Sequence, residues 1–350
     1  MPLVSIVIPA YNIRDDLPRA VASICAQTLT DFELFLVDDG STDGTAQVVD
    51  DLAAGDPRII AMHQPNGGAP AARNAAIVRA TGTYCYFCDG DDYAEPGMLQ
   101  TMVQAAQAND AQMVVTSYFI KTYDRKDRFY HQQQNCPSDV CATKEAFRAR
   151  SIELFDNNLL YTPWNKLFLR QYLVDNDIRF PATFWDDFPF VLHVVRDIER
   201  VVLMDQPFYH YIRRRAEAET AKYRPDMLDK REEENGWMLD LYRVWDMDTP
   251  QVREFLARRY IERVVGCLEN IVNPNNPATA KERRAQAKAL VGSDNVRQAL
   301  RVAKPRSLYT RVMLWPVRWR WAWACLLECR VIGWVKRRHT LLFAKLKAGR

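Results

Sequence analysis

Apolar positions in the first part of the chain fall into short β-branched runs, at Val4–Pro9, Glu33–Val37, Arg58–Met62, Tyr84–Cys88 and Gln112–Ser117. Runs of this length, closed by Gly, Pro, Asn and Asp, read as buried strands. Between them, at Asp16–Ala26, Gly44–Ala54, Pro70–Ala80 and Pro96–Ala108, apolar residues recur at helical spacing. Pro70 and Pro96 stand where a helix tolerates proline, in the first turn. Strands alternating with helices predict an α/β fold, a mostly parallel sheet flanked by helices. Ligands gather at the carboxyl ends of such strands, which directs attention to Ala10–Asn12, Asp38–Asp43 and Asp89–Tyr93.

Beyond this, residues 121–220 are a less regular mixture with aromatic clusters. Asp226–Val272 reads as long helices, and the Pro/Asn-rich Asn273–Ala278 as a loop. The expected division is one α/β domain over 1–220, in two parts, 1–120 and 121–220. A helical region (221–300) and a tail (301–350) follow.

Charge changes the picture only when divided along the chain. The net charge is +3, yet residues 301–350 hold thirteen Lys/Arg and one acid, leaving −9 for residues 1–300. The basic character belongs to the tail and points to an anionic partner. The eight cysteines lack paired metal-knuckle spacing and read as reduced thiols of a cytosolic protein. Cys85 and Cys88 form a C-x-x-C, but their odd separation on a strand sends them to opposite faces, which does not suit zinc. The start Met1-Pro2-Leu3-Val4-Ser5 has no signal-peptide character, and the apolar stretch near the C-terminus is interrupted by Arg318, Arg320, Glu328 and Arg330. A cytoplasmic location is expected.

Three segments carry candidate chemistry. Phe87-Cys88-Asp89-Gly90-Asp91-Asp92 crowds three carboxylates after a strand. Their mutual repulsion calls for a hard divalent cation such as Mn²⁺ or Mg²⁺, which also bridges nucleotide phosphates, and Gly90 permits close approach. The same residues also suit a solvated acidic turn. Asp38-Asp39-Gly40-Ser41-Thr42-Asp43-Gly44 ends a strand; an Asp there can accept the N3–H of uracil, while helix capping accounts for Asp43 but not for the Asp38–Asp39 pair. Asn66-Gly67-Gly68-Ala69-Pro70-Ala71-Ala72-Arg73-Asn74 is a glycine turn opening a helix, where Arg73 either pairs with a pyrophosphate or makes a structural ion pair.

Together with Val4-Ser5-Ile6-Val7-Ile8-Pro9-Ala10-Tyr11-Asn12, these segments occur in an order and spacing that resemble inverting family 2 glycosyltransferases of the GT-A fold. The resemblance implies that Pro9, Ala10, Tyr11 and Asp39 surround the base and ribose of a nucleotide-sugar, and that Arg73 lies near its diphosphate. Asp89 and Asp91 become the D-x-D pair, with Gly90 between them and Asp91 the more direct metal ligand. More loosely, Thr162-Pro163-Trp164-Asn165-Lys166-Leu167-Phe168, Phe184-Trp185-Asp186-Asp187-Phe188-Pro189-Phe190 and Tyr209-His210-Tyr211-Ile212-Arg213 are similar to segments of bacterial surface-polysaccharide transferases of that family. There the second acid of an E-D pair is the general base, which falls here on Asp187. Asp186 replaces the usual Glu, and Pro189 leaves the helix onset open.

Sugar transfer itself needs such a base, because the attacking hydroxyl must lose a proton as the diphosphate departs. Trp164 reads as core. Trp185 is divided between core and acceptor platform, with Asp186 beside it, and His210 is the one histidine that the resemblance puts near the site, either structural or a third metal ligand after Asp91 and Asp89. The expected reaction moves a sugar, most simply from a UDP-sugar, onto a hydroxyl of a glycan or lipid-linked glycan. A nucleotidyltransferase would instead show a Gly-rich phosphate loop after the first strand, where Pro9-Ala10-Tyr11-Asn12 stands. A non-catalytic nucleotide-sugar-binding scaffold could dispense with Asp187.

In the tail, Trp315, Trp319, Trp323 and Leu326 share one stripe on a continuous helix, among basic residues. The mix suits an anionic membrane surface on the inner face of the cytoplasmic membrane, or a Trp face packed on the catalytic domain. No nucleic-acid fold signature accompanies it.

Overall fold

The computed structural model describes residues 1–124, 126–183, 185–214, 223–338 and 341. Phe184, the 220/221 boundary and the tail beyond Arg338, apart from 341, lie outside the described residues. The chain divides into two compact units, residues 1–121 with 131–212, and residues 122–130 with 213–350.

The first unit opens with the expected alternation: β1 (Val4–Ala10), α1 (Leu17–Cys25), β2 (Phe32–Asp38), α2 (Thr45–Gly55), β3 (Ile59–His63), α3 (Ala69–Arg79) and β4 (Tyr84–Phe87). A two-residue β5 (Tyr93–Ala94) precedes α4 (Met98–Ala108). Strands β3-β2-β1-β4 are parallel neighbours, with Val4 opposite both Phe32 and Tyr84. Val4, Ile6, Val7, Ile8, Leu34 and Leu36 are fully buried, as strands covered by helices on both faces must be.

The sheet continues through β9 (Lys166–Leu169), antiparallel to both β4 and β6 (Met113–Tyr123), and then β10 (Val201–Arg214) and β5. Two strands lie off this path, β7 (Phe129–Gln134) on β6 and β8 (Asp139–Cys141) on β10. Helices α5 (Lys144–Asp156), α6 (Arg170–Asp175) and α7 (Asp187–Asp197) complete this stretch. In the antiparallel half only β6 answers to a predicted run, Gln112–Ser117; β5, β7, β8, β9 and β10 have no counterpart among the predicted strands. Pro189 falls third in α7, in the first turn, where an amide without a partner costs nothing, so the helix starts at Asp187 despite it.

The second unit is helical: α8 (Met227–Val244), α9 (Pro250–Ile271), α10 (Ala280–Gly292), α11 (Asp294–Val302), α12 (Leu308–Arg318) and α13 (Ala322–Arg338). Thr249, Thr279, Ser293 and Ser307 cap the starts of α9 to α12 through their side chains, and Thr279 with Glu282 forms a capping box. Phe255, Ile261, Leu268, Val291, Val296 and Val317 fill its core. No described helix is long and apolar enough to cross a membrane.

Candidate active site

The carboxyl ends of β1, β2 and β4 meet in a set of cross-linked loops. Asn12, in the left-handed region at φ 52°, accepts from the Thr42 amide at 2.8 Å and donates its own amide to Ser41 Oγ at 3.1 Å. Asp39 is buried, and its carboxylate accepts from Gln64 Nε2 (2.7 Å), the Gly67 amide (2.9 Å) and the Gly68 amide (2.7 Å). It therefore shapes the glycine turn ahead of α3. Gly40, at φ 72°, packs so close to this turn that a β-carbon would lie 2.8 Å from the Asn66 amide nitrogen. Pro9 and Ala10 line the end of β1, and the Tyr11 ring stands half exposed beyond them.

The three clustered carboxylates have separate environments. Asp92 is fully buried, accepting from Tyr209 Oη and the Ile212 amide, both at 2.7 Å, and burial with Asp91 and Asp89 nearby raises it well above the usual range. It ties the loop to β10, and Tyr209 Oη also accepts the Asp89 amide at 3.1 Å. Asp91 keeps a solvent-exposed edge but is surrounded by enough protein that desolvation, reinforced by Asp89, pushes it up to about 6. Gly90 lets the loop lie close to Ile13: a β-carbon there would stand 2.3 Å from Ile13 Cδ1 and oblige that side chain to move.

Arg73 joins this loop to the start of α7. Its Nη2 donates to Asp89 Oδ1 and its Nη1 to Asp186 Oδ2, both at 2.8 Å, and Asp187 Oδ1 lies 3.0 Å from Nη1 without hydrogen-bond alignment. Arg73 is buried, and Phe180 faces its guanidinium with the ring centroid 5.0 Å away. Burial opposes its charge, but Asp187, Asp89 and Asp186 together raise its pKa. Two buried polar atoms here have no hydrogen bond, Arg73 Nε and Asp187 Oδ1. Burial, opposed by Arg73 and reinforced by Asp186, raises the Asp187 carboxyl to about 7; Asp186 is raised by the same burial. Trp185, just before them, adopts φ 62°, a conformation that bulky residues rarely take outside constrained sites.

The cross-linked strand-end loops, the acidic loop and a half-buried carboxylate of raised pKa are thus in one place, the last two linked by Arg73. A sequence profile for Glycosyl transferase family 2 matches residues 5–175. Over 218 residues the chain is 31% identical to glycosyltransferase GlyG of Streptococcus pneumoniae serotype 4, covering 61% of this chain and 71% of GlyG. The chain belongs to glycosyltransferase family 2. A longer match, 29% over 310 residues, relates it to the uncharacterized glycosyltransferase EpsJ of Bacillus subtilis strain 168, across 86% of this chain and 87% of EpsJ. Its fold is similar to that of S. aureus TarS 1–349 in complex with UDP-GlcNAc, with a TM-score of 0.64 at 20% identity, covering 96% of this chain and 92% of that one.

Within this family 2 enzyme several site features had no separate signal in the sequence. Asn74 exchanges two hydrogen bonds with the Phe180 backbone (2.8 and 2.9 Å), and Phe180 stacks on Phe190 at 3.8 Å. These contacts fix where Arg73 meets α7. Trp164 is buried, stacked on Tyr209 at 4.5 Å. Lys166 is fully buried, and burial lowers it to about 7; its three ammonium protons match three acceptors, the Leu159 and Thr162 carbonyls and Asn165 Oδ1. His210 is placed differently from a metal ligand: its Nε2 contacts Glu95 Oε1 at 2.6 Å and its ring stacks on Tyr93. It alternates with Tyr209 along β10, so the two side chains leave opposite faces of the strand. Among the described residues no three His, Cys, Asp or Glu side chains form a metal-holding group, so Asp89, Asp91 and His210 are not gathered into one.

Proposed function

We propose that this glycosyltransferase works by single-displacement inversion, moving a sugar from a UDP-sugar to a hydroxyl of a glycan or lipid-linked glycan acceptor, with Asp187 as general base. The observation that carries this reading is the arginine bridge: Arg73 contacts Asp89 of the acidic loop and both Asp186 and Asp187. It would tie the donor end of the site to the base. Pro9, Ala10 and Tyr11 surround the nucleotide, with Asp39 beside them holding the glycine turn; the exposed Tyr11 ring suits stacking on a base, and TarS, with the similar fold, was solved with UDP-GlcNAc. Trp185 and Asp186 face the acceptor.

A carboxylate near pKa 7 is matched to taking a proton from a hydroxyl at neutral pH. As the acceptor oxygen bonds to the anomeric carbon, its proton passes to Asp187 and the bond to the diphosphate breaks. Arg73 favours the ionised form of Asp187 and holds Asp186 in place.

A divalent cation, Mn²⁺ or Mg²⁺, fits the acidic loop. Asp91 and Asp89 offer hard oxygen donors, and Asp91 is raised by desolvation and then by the neighbouring Asp89 charge, both of which a cation would offset. Gly90 keeps the loop tight against β1. Bound there, the ion would neutralise the departing diphosphate. His210 would have to release Glu95 to join, so Asp91 and Asp89 are the primary pair. The basic, Trp-bearing C-terminal helices are read as facing an anionic membrane surface, where a lipid-linked acceptor would be met.

The test is a panel of nucleotide-sugars with purified protein and Mn²⁺, scoring nucleotide release and shifts in melting temperature. Response to one UDP-sugar, abolished by EDTA and by Asp91→Ala, is the expected result. Response confined to donors carrying another nucleotide, or one indifferent to both controls, contradicts it.

A further inference from the structure

The C-terminal stretch is not the single striped helix that its spacing predicts. It folds as a hairpin, α12 and α13 joined through Trp319–Trp321, with Arg320 in the left-handed region at φ 57°. Leu326 turns inward and is buried with Met313, Leu314, Val317, Cys325 and Cys329. The rings that remain outside are Trp315 (52% exposed), Trp319 (62%) and Trp323 (56%), with Trp321 among them at 5.0 to 6.4 Å between centroids. Along α13 the outer stripe continues through Leu327, Val331 and Trp334. Soluble surfaces rarely leave so many large apolar side chains exposed together.

Beside these rings lies a recess of about 400 Å³ lined by Ala303, Lys304, Pro305, Arg311, Trp315 and Arg318. It contains three cations and no acid. Arg297 caps the end of α12, donating to the Val317 and Arg318 carbonyls at 3.1 Å, and its pKa is lowered by burial and by neighbouring Arg320 and Arg301. Cations therefore crowd at the same end of the hairpin as the rings.

We propose that this hairpin docks on an anionic lipid bilayer, with Trp315, Trp319, Trp321 and Trp323 in the headgroup zone and a lipid phosphate in the recess of Lys304, Arg311 and Arg318. It deepens the membrane-side reading given above and rests on it. Tryptophan suits the boundary between headgroups and acyl chains because its ring is apolar while its N–H seeks a polar partner. The recess adds charge complementarity, a guanidinium pair able to grip phosphate oxygens. A nucleic acid would also meet cations and rings, but the continuous apolar stripe of Trp323, Leu327, Val331 and Trp334 fits acyl chains rather than a polyanion.

Flotation of the full chain with phosphatidylcholine vesicles, with and without phosphatidylglycerol, tests this. Binding to the anionic vesicles only, weakened by salt, is expected. Arg311→Glu with Arg318→Glu should lower it by at least about tenfold, and Trp319→Ser with Trp323→Ser should abolish it. These positions are exposed, so both variants should keep the wild-type melting temperature and donor turnover; turnover reports on the catalytic reading separately. Equal binding to neutral vesicles, unchanged binding in the Trp variant, preference for RNA over vesicles, or a stable dimer that protects the tryptophans would overturn the proposal. Loss confined to the Trp variant would overturn the phosphate recess.

Discussion

Arg73→Met removes the one cation shared by three carboxylates while keeping an unbranched side chain beside Phe180. The Arg73 side chain is 5% exposed, and those of Asp89, Asp186 and Asp187 are 27%, 15% and 23% exposed. Removing one partner of a buried ion pair costs roughly 3–5 kcal/mol. Partial exposure of the acids and their protonation favour the lower end, about 3 kcal/mol near neutral pH. In a domain of this size that is a fall in melting temperature of roughly 6–12 °C.

The pH dependence is the sharper signature. Asp187 titrates near 7 in the native protein against an ordinary value of 3.8. A carboxyl raised on folding contributes its full stability below the unfolded value and loses it as pH rises through the folded one. Without Arg73 the folded value of Asp187 rises further, so the gap between variant and wild type is flat while both are protonated and widens from about pH 6 to about pH 8, where only the wild-type carboxyl ionises. Urea unfolding at several pH values measures it. A penalty under about 1 kcal/mol, or one equal at both ends of that range, would refute the reasoning.

Asp91→Asn removes repulsion from Asp89, so the metal-free melting temperature at pH 8 should hold or rise, while stabilisation by Mn²⁺ disappears. In the wild type that stabilisation should grow as pH rises through about 6, where Asp91 ionises; equal shifts on both sides of 6 would contradict it. Tyr209→Phe takes a hydrogen bond from buried Asp92 and an acceptor from the Asp89 amide, at a cost of about 1–3 kcal/mol in thermal melts. A loss below about 0.5 kcal/mol would mean that Tyr209 does not anchor the acidic loop.

The parallel half of the sheet was legible because strands covered on both faces must be continuous apolar runs, and β1 to β4 fall within a residue or two of those runs. The antiparallel half was legible only at the start of β6, in the run Gln112–Ser117. β10 carries exposed Asp205 and Gln206 in mid-strand, and β5 is two residues long, too short for any period to register. The site was legible as residue types in order, but not as partnerships. Asp39 reads as a ligand contact, yet its oxygens hold a turn 25 to 29 residues away. Arg73 reads as a phosphate contact, and its meeting with Asp186 and Asp187 crosses more than a hundred positions. In the tail, helical spacing predicted one stripe; the turn at Trp319–Trp321 breaks the phase, so Leu326 goes inward and Trp321 joins the exposed rings.

The most direct test of Asp187 as the base is sugar transfer by Asp187→Asn, measured beside donor binding and the pH profile of the wild type. The account predicts that the variant binds the UDP-sugar as the wild type does, yet loses transfer by about a hundredfold or more. It also predicts that wild-type kcat/KM rises with pH through an apparent pKa near 7. Transfer surviving in Asp187→Asn with that acid limb unchanged would contradict it.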